Sequence, residues 1–168
     1  PPLPMLAVEL SAVLHLGLGA LFSFGFVRRL TGRAEAGLCT AIAFGLGGYL
    51  TAYPMLQTAI LQSAVWLPLG LWLSEAALAR RSQQGMAWAG VAVGLSLLGG
   101  HPQTTMYLAY TLGAYILFRS LMLRVGWRFL ATALLAWGIA AAGLSAVQWW
   151  PSLELAQVSP RANVPYDQ

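Results

Sequence analysis

The chain is organised as long apolar runs separated by short clusters of arginine. Charged residues are absent from four runs, namely Leu10 to Val27, Ala36 to Ser74, Ser82 to Phe118 and Phe129 to Leu153. A helix needs about 20 apolar residues to cross the hydrocarbon core of a bilayer. The first and last runs are therefore long enough for one crossing each, and the two middle runs are long enough for two each.

A chain reversal is expected near the centre of each double-length run. Tyr53-Pro54 interrupts the first, because proline lacks a backbone N–H and disfavours helical geometry in the residue before it. The second contains Gly99-Gly100-His101-Pro102-Gln103. Pro68, further along the first run, is expected to kink its helix. The pattern predicts an all-α, polytopic bundle of about six membrane-spanning helices, over residues 5–27, 34–53, 55–79, 86–100, 104–122 and 129–150.

The arginines are distributed unevenly between the predicted turns. Alternate turns hold every basic residue except Arg161, namely Arg28, Arg29, Arg33, Arg80, Arg81, Arg119, Arg124 and Arg128. Cytoplasmic loops of membrane proteins are enriched in arginine and lysine. The prediction therefore places these turns in the cytoplasm, and it places the Tyr53 turn, the His101 turn and the C-terminal tail outside.

The composition agrees with a surface that faces lipid. Of the 168 residues, 58% are hydrophobic and 8% are charged, whereas soluble domains carry about 25% charged residues. The net charge of +4 comes from the turn clusters and not from a basic face, which argues against nucleic acid as a partner. The one cysteine, Cys39, rules out a disulfide within the chain, and no metal-ligand spacing is present.

A few polar side chains fall within the predicted spans. His15, Gln57 and Gln62 are expected to form hydrogen bonds with neighbouring helices. Glu75 lies close to the arginine pair that follows its helix, so a solvated or ion-paired surface acid is the default interpretation, and no chemical role is assigned to it.

Pairs of small residues spaced four apart indicate faces on which a second helix could approach closely. These pairs are Gly90 with Gly94 and Gly138 with Ala142.

The turn at residues 101–105 is the strongest candidate for a binding site. His101 could exchange a proton near neutral pH or donate a hydrogen bond to an anion, and Gln103 lies beside it. Thr104 or Thr105 could instead merely cap the following helix. A structural turn and a binding site are both open interpretations.

Further candidate residues lie in the other segments that are predicted to be external. Gln148 and Glu154 flank Trp149-Trp150-Pro151, where an acid beside aromatic rings could bind a sugar or could simply be an interfacial acid. Tyr53 and Arg161 complete the candidate set. No arrangement typical of a serine hydrolase, a metal site or a phosphate loop is present.

Three segments of the chain occur in a distinctive order and spacing. They are Gly47-Gly48-Tyr49-Leu50 leading to Trp66-Leu67-Pro68-Leu69, then Leu98-Gly99-Gly100-His101-Pro102-Gln103 with Tyr107, and finally Ala146-Val147-Gln148 with Pro151, Glu154-Leu155, Ser159 and Arg161. Taken together, they resemble the YfhO-like bacterial membrane proteins, which are related to the GT-C glycosyltransferases. The resemblance covers nearly all of this chain but only part of a family member, so the chain is expected to be a fragment.

The resemblance implies a GT-C-like fold in the bacterial inner membrane and a sugar donor carried on polyprenyl phosphate, with no other cofactor. His101, Gln103 or Arg161 would stabilise the leaving phosphate by hydrogen bonding. GT-C enzymes typically use an acidic residue in their first external loop. That loop would precede Pro1, so the catalytic residue is expected outside this chain, and whether the chain by itself is an enzyme is open.

Two other functions are compatible with the sequence. A transporter or flippase segment would usually show internal repeats and helices broken near the midplane, whereas the breaks predicted here fall at the ends of spans. No residue of the sequence excludes a structural membrane subunit without activity. The bilayer is the expected partner in all three cases.

Overall fold

Every secondary-structure element that the structure describes is an α-helix. The computed structural model describes residues 3–52 and 57–158, and no strand occurs in those ranges. In chain order the helices are α1 (Leu3–Thr31), α2 (Ala34–Gly45), α3 (Gly48–Thr51), α4 (Thr58–Ala64), α5 (Trp66–Arg80), α6 (Gln83–Leu98), α7 (Pro102–Met122) and α8 (Trp127–Gln157). The all-α prediction is confirmed.

Two of the predicted spans are divided into two helices. The span predicted over 34–53 is interrupted between α2 and α3, where a Cβ on Gly47 would lie 2.3 Å from the carbonyl oxygen of Ala43. Only glycine fits so tight a turn. The span predicted over 55–79 is interrupted at Val65, because Pro68 cannot donate a hydrogen bond to the carbonyl of Ala64. The kink expected at Pro68 is therefore a break between α4 and α5.

The last helix is longer than the sequence predicted. The expected span ended at residue 150, but α8 continues to Gln157 with Pro151 inside it. A proline within a helix leaves the carbonyl four residues earlier, here that of Val147, without its backbone partner. The helix nevertheless continues through Pro151 to a length of thirty-one residues. The turn expected at Tyr53-Pro54 lies outside the described residues.

The helices pack side by side in the order α2, α1, α5, α6 and α8, and α7 packs against this row. α1 packs between α2 and α5, α5 packs against α6, and α6 packs against α8. α7 contacts α4, α5 and α6. Consecutive long segments reverse direction, so α1, α5 and α7 run parallel to one another.

The parallel arrangement follows from pairs of contacts. Along α1 and α5, the ring of Phe22 lies 6.0 Å from that of Trp66, and Gly25, three residues later, packs on the ring of Trp72. At the ends of α5 and α7, Nη2 of Arg81 donates hydrogen bonds to the carbonyls of Leu123 at 3.1 Å and Arg124 at 3.4 Å. The C-terminal ends of these helices therefore lie together.

The bundle has two chemically different ends. The arginine end consists of the C-terminal ends of α1, α5 and α7 with the turns that follow, and it carries Arg28, Arg29, Arg33, Arg80, Arg81, Arg119, Arg124 and Arg128. The histidine end is the opposite one, where the turn between α6 and α7 contains His101. There, a Cβ on Gly99 would meet the backbone nitrogen of Ser63 at 2.8 Å, which places this turn beside α4.

The interior contains serines as well as apolar residues, and many large apolar side chains lie on the exterior. Six serines of the described part of the chain are buried, namely Ser23, Ser63, Ser74, Ser96, Ser120 and Ser145. By contrast, Leu121 is 78% exposed, Val147 is 74% exposed and Trp127 is 73% exposed. Monomeric soluble proteins rarely leave such apolar surface in contact with water.

Within the described residues, two helices are long and apolar enough to cross a membrane. They comprise Met5–Thr31 and Trp127–Gln157, and only 17% and 11% of their most apolar stretches are buried inside the bundle. The core helix of a soluble protein would be mostly buried. The length, composition and exposure of these two helices therefore support an association with the membrane.

Candidate functional site

The candidate residues that the structure describes lie at the histidine end, but they do not form one site. His101 and Gln103 lie at the start of α7, and Gln148 and Glu154 lie near the end of α8. Tyr53 and Arg161 lie outside the described residues. The remaining four residues each occupy a different environment.

His101 caps a helix. It is the N-cap residue of α7, and its Nδ1 accepts a hydrogen bond from the backbone N–H of Thr104 at 3.2 Å and lies 2.7 Å from the Thr104 hydroxyl. Gly100, with φ of +86°, brings the chain into this position. The helix therefore starts at Pro102, two residues earlier than predicted, and the capping side chain is that of His101, not that of Thr104 or Thr105.

Gln103 lies along the outer surface of α7. Its Nε2 donates a hydrogen bond to the hydroxyl of Tyr107, one helical turn later, at 3.0 Å. Both side chains are exposed. Gln103 is therefore close to His101 in the sequence, but its side-chain amide is hydrogen-bonded to Tyr107 on the same helix.

Gln148 lines a cavity of about 270 Å³ between α8 and the turn that precedes α7. We call it the Gln148 cavity, and its walls are Leu97, Pro102, Gln148, Trp149, Ser152 and Leu153. Trp149 donates its indole N–H to the carbonyl of Ala142 at 3.0 Å, and the Ser152 hydroxyl donates to the carbonyl of Gln148 at 2.7 Å. The side-chain amide of Gln148 forms no hydrogen bond with the described residues, so it is available to a ligand.

Glu154 lies in a different depression from Gln148. Its Oε1 accepts a hydrogen bond from the indole N–H of Trp150 at 3.1 Å. With Trp150, Leu153 and Gln157 it lines an exposed hollow of about 390 Å³. Six residues along a helix correspond to a rotation of about 240°. The acid and the amide therefore lie on different faces of α8, although the sequence grouped them around one aromatic pair.

The most developed polar cluster was not predicted as a site. Glu75 is buried, and not at the surface as its position in the sequence suggested. Its carboxylate accepts a hydrogen bond at Oε2 from Nε of Arg119 at 2.7 Å and another from the Tyr115 hydroxyl at 2.8 Å. Nη2 of Arg119 donates to the other carboxylate oxygen. The cluster joins α5 to α7 near the arginine end.

The partner of Glu75 differs from the one that its position in the sequence suggests. Arg80 and Arg81 are its nearest cations along the chain, but Arg81 bonds to the carbonyls that end α7, and Arg119 forms the ion pair. The relevant signal was the four-residue spacing of Tyr115 and Arg119, which places both on one face of α7. That spacing alone does not reveal which acid they meet.

Buried hydroxyl groups link the helices beneath the His101 turn. The Ser96 hydroxyl of α6 donates to the carbonyl of Ser63 in α4 at 2.9 Å, and it lies 2.9 Å from the hydroxyl of Thr105 in α7. This chain of hydrogen bonds fixes the position of the turn relative to α4. Pro102, which forms part of the wall of the Gln148 cavity, is therefore held in position relative to α4.

Of the three polar residues expected to bond between helices, one does so. The side chain of Gln57 is exposed and forms no hydrogen bond with the described residues. Gln62 donates from Nε2 to the hydroxyl of Ser11 in α1 at 3.1 Å, which confirms the expectation. His15 instead uses Nδ1 within its own helix, 2.7 Å from the carbonyl of Ser11, and it meets Trp66 through an edge-on ring contact. The prediction for His15 was therefore wrong, because the carbonyl one turn earlier was a nearer partner.

Comparison with protein-family models, with curated proteins and with solved structures finds no match to this chain. Within residues 3–52 and 57–158, no three side chains of His, Cys, Asp or Glu lie close enough together to hold a metal ion. What the chain does must therefore be inferred from the Gln148 cavity and from the charge distribution of the bundle.

Proposed function

We propose that the chain is the membrane-embedded part of a GT-C-related protein that binds a sugar carried on polyprenyl phosphate at the outer face of the bacterial inner membrane. In this proposal the bundle crosses the membrane six times, with α2–α3 and α4–α5 each forming one divided span. The resemblance to YfhO-like proteins supports the choice of this class over the other membrane-protein classes.

The segregation of charge supports the orientation. Every described arginine belongs to the arginine end, and arginine-rich turns are retained in the cytoplasm. The histidine end then faces outward, where lipid-linked sugars present their phosphates to GT-C enzymes. The large apolar side chains on the exterior of the bundle suit contact with lipid tails.

The observation that carries the proposal is the position and lining of the Gln148 cavity. It lies at the end opposite the arginines, and it combines an indole face, a free amide and a hydroxyl with apolar walls. A sugar offers hydroxyl groups to an amide and an apolar face to an indole, while Leu97 and Leu153 would contact the polyprenyl chain. Ligand sites typically combine apolar walls with a few polar groups in this way.

Photocrosslinking in membranes tests whether the cavity binds this ligand. A polyprenyl-phosphate sugar carrying a diazirine beside the phosphate is expected to label α8 between residues 148 and 153. Gln148→Ala should lower the labelling about tenfold, the upper range for loss of one neutral hydrogen bond. Gln84→Ala is the matched control, because it removes an exposed amide at the arginine end and should leave labelling unchanged.

Labelling that is absent, or that is equal in Gln148→Ala and the parent chain, would contradict the proposed site. Turnover separates the enzymatic function from its alternatives. The full gene product is expected to transfer the sugar to an acceptor, and Gln148→Ala should reduce kcat/KM by a similar factor. Movement of the labelled lipid across proteoliposomes without transfer would instead identify a flippase.

A further inference from the structure

A second cavity lies at the arginine end and is not used by the proposed sugar site. It has a volume of about 510 Å³. We call it the arginine groove, and it is lined by Leu21, Phe24, Gly25, Arg28, Arg29 and Trp72. Its wall is apolar and its rim carries two guanidinium groups. This arrangement suits an amphipathic ligand with an anionic head.

Gly25 shapes the groove. A Cβ at this position would lie 2.6 Å from the ring of Trp72, so the absence of a side chain lets the indole pack closely against α1. Trp72 belongs to α5, and the groove is therefore formed between two helices that run parallel. The indole forms an apolar wall directly below the arginines.

The two arginines of the groove are not neutralised by the protein. Within the described part of the chain, neither Arg28 nor Arg29 forms an ion pair. The nearby buried acid, Glu75, is engaged by Arg119 and Tyr115 through three hydrogen bonds. Arg28 lies 5.8 Å from the centre of the Phe24 ring, a contact that leaves its N–H donors free.

We propose that the arginine groove binds an anionic phospholipid of the cytoplasmic leaflet, such as phosphatidylglycerol. The phosphate lies on Arg28 and Arg29, and one acyl chain lies along Leu21, Phe24 and Trp72. Basic pockets between helices on the cytoplasmic side are suited to anionic lipid headgroups. The inference rests on the proposed membrane placement, because only then does the groove open to this leaflet.

A lipid fits the groove better than a soluble anion does. α1 is one of the two helices that are long and apolar enough to cross a membrane, and its arginine pair lies in its last turn. The apolar wall continues from the arginines toward the middle of α1. A free phosphate would use only the rim and would leave the leucine, phenylalanine and tryptophan surfaces without a partner.

Fluorescence quenching of Trp72 measures which lipid occupies the groove. The chain is reconstituted into phosphatidylcholine vesicles that contain a minor fraction of phosphatidylglycerol, with bromine on the acyl chains of one lipid or the other. Subtracting the signal of Trp72→Phe isolates Trp72 from the other tryptophans. Phosphatidylglycerol at Trp72 is expected to be enriched at least about fivefold over its bulk fraction, the effect of one arginine near the surface.

Two double variants that remove equal charge distinguish a specific lipid site from general electrostatic attraction of anionic lipid. Arg28→Gln combined with Arg29→Gln should return the lipid at Trp72 to the bulk ratio. Arg33→Gln combined with Arg80→Gln removes the same charge at the same end and should preserve the enrichment. Quenching of Trp72 by the two lipids in proportion to their bulk fractions in the parent chain would overturn the proposal, and so would equal losses in the two double variants.

Two further readouts complete the test. Competition by soluble glycerol phosphate would identify a site for a free anion and would overturn the lipid assignment. Quenching of the remaining tryptophans by brominated phosphatidylcholine reports insertion into the bilayer. If insertion is absent, the membrane placement fails, whereas insertion without enrichment at Trp72 overturns the lipid site alone.

Discussion

Glu75, Tyr115 and Arg119 show how single residues hold two helices of this bundle together. The Glu75 and Arg119 side chains are 9% and 22% exposed, and every carboxylate oxygen has a donor. Removing one partner of a buried ion pair leaves an uncompensated charge, which costs more than the intact pair contributes. The pair therefore constrains the position of α7 on α5.

Replacing Glu75 alone should destabilise the protein strongly. Glu75→Gln is expected to lower the free energy of unfolding by about 2–3 kcal/mol, below the full cost for a buried pair because Arg119 is partly exposed. Unfolding in mixed detergent micelles, followed by tryptophan fluorescence, measures the change. Glu154→Gln, at an exposed acid, should shift the value by less than about 1 kcal/mol.

Removing both charges should restore most of the lost stability. Glu75→Leu combined with Arg119→Leu replaces the pair by apolar groups, and such replacements are often nearly neutral. The double variant is therefore expected to be more stable than Glu75→Gln. A double variant that is less stable than either single change would show that the pair itself, and not the unpaired charge, determines the loss.

At the residue scale, the sequence revealed that a polar side chain inside a span needs a partner better than it revealed which partner it meets. The bond from Gln62 to another helix could be predicted, since an amide inside a span needs a partner. The pairing of Glu75 with Arg119 could not, because it depends on how two helices separated by a third are aligned. The sequence suggested Thr104 or Thr105 as the possible cap of α7, whereas the structure gives this role to His101.

At the element scale, the closest helix contact is made between α6 and α8. A Cβ on Gly90 would lie 2.1 Å from the carbonyl oxygen of Trp137, and one on Gly94 would lie 2.9 Å from Leu144. Glycines at this spacing allow two backbones to touch. Gly138, on the other helix, has no atom within 4 Å of its Cβ position and takes no part.

This asymmetry predicts opposite effects for two alanine substitutions. Gly90→Ala forces α6 away from the α8 backbone and should cost about 1–3 kcal/mol of unfolding free energy. Gly138→Ala enters open space and should be neutral or stabilising by up to about 1 kcal/mol, because alanine favours helix. Detergent unfolding of both variants checks this, and equal effects would argue against the close contact.

The all-α class could be read from the sequence, whereas the internal breaks of the helices could be read only in part. The alternation of apolar runs and arginine clusters marks where segments begin and end. Pro68 signals the break at Val65 through its missing N–H. The break beside Gly47 depends on a close approach to Ala43. A pair of glycines in an apolar run does not by itself predict such a break.

At the scale of the whole molecule, charge and cavities are sorted between the two ends. The arginine groove lies among the cationic turns, and the Gln148 cavity lies beside the His101 turn. In the proposed orientation the two ends serve different leaflets, with an anionic lipid below and a lipid-linked sugar above. Both ligands share an anionic head and a long apolar tail, so a bundle with an apolar exterior suits each of them.

The central claim is that the arginine end and the histidine end lie on opposite sides of the membrane. Cysteine labelling of intact cells tests it in a Cys39→Ala background, where each introduced cysteine is the only one in the chain. Gln84→Cys reports the arginine end, and Gln103→Cys and Gln157→Cys report the histidine end. All three positions are exposed.

An impermeant maleimide added from outside should label Gln103→Cys and Gln157→Cys, and it should label Gln84→Cys only after the membrane is permeabilised. Positive-inside orientation and six crossings together require this pattern. Labelling of Gln84→Cys and Gln103→Cys from the same side in intact cells would contradict the account.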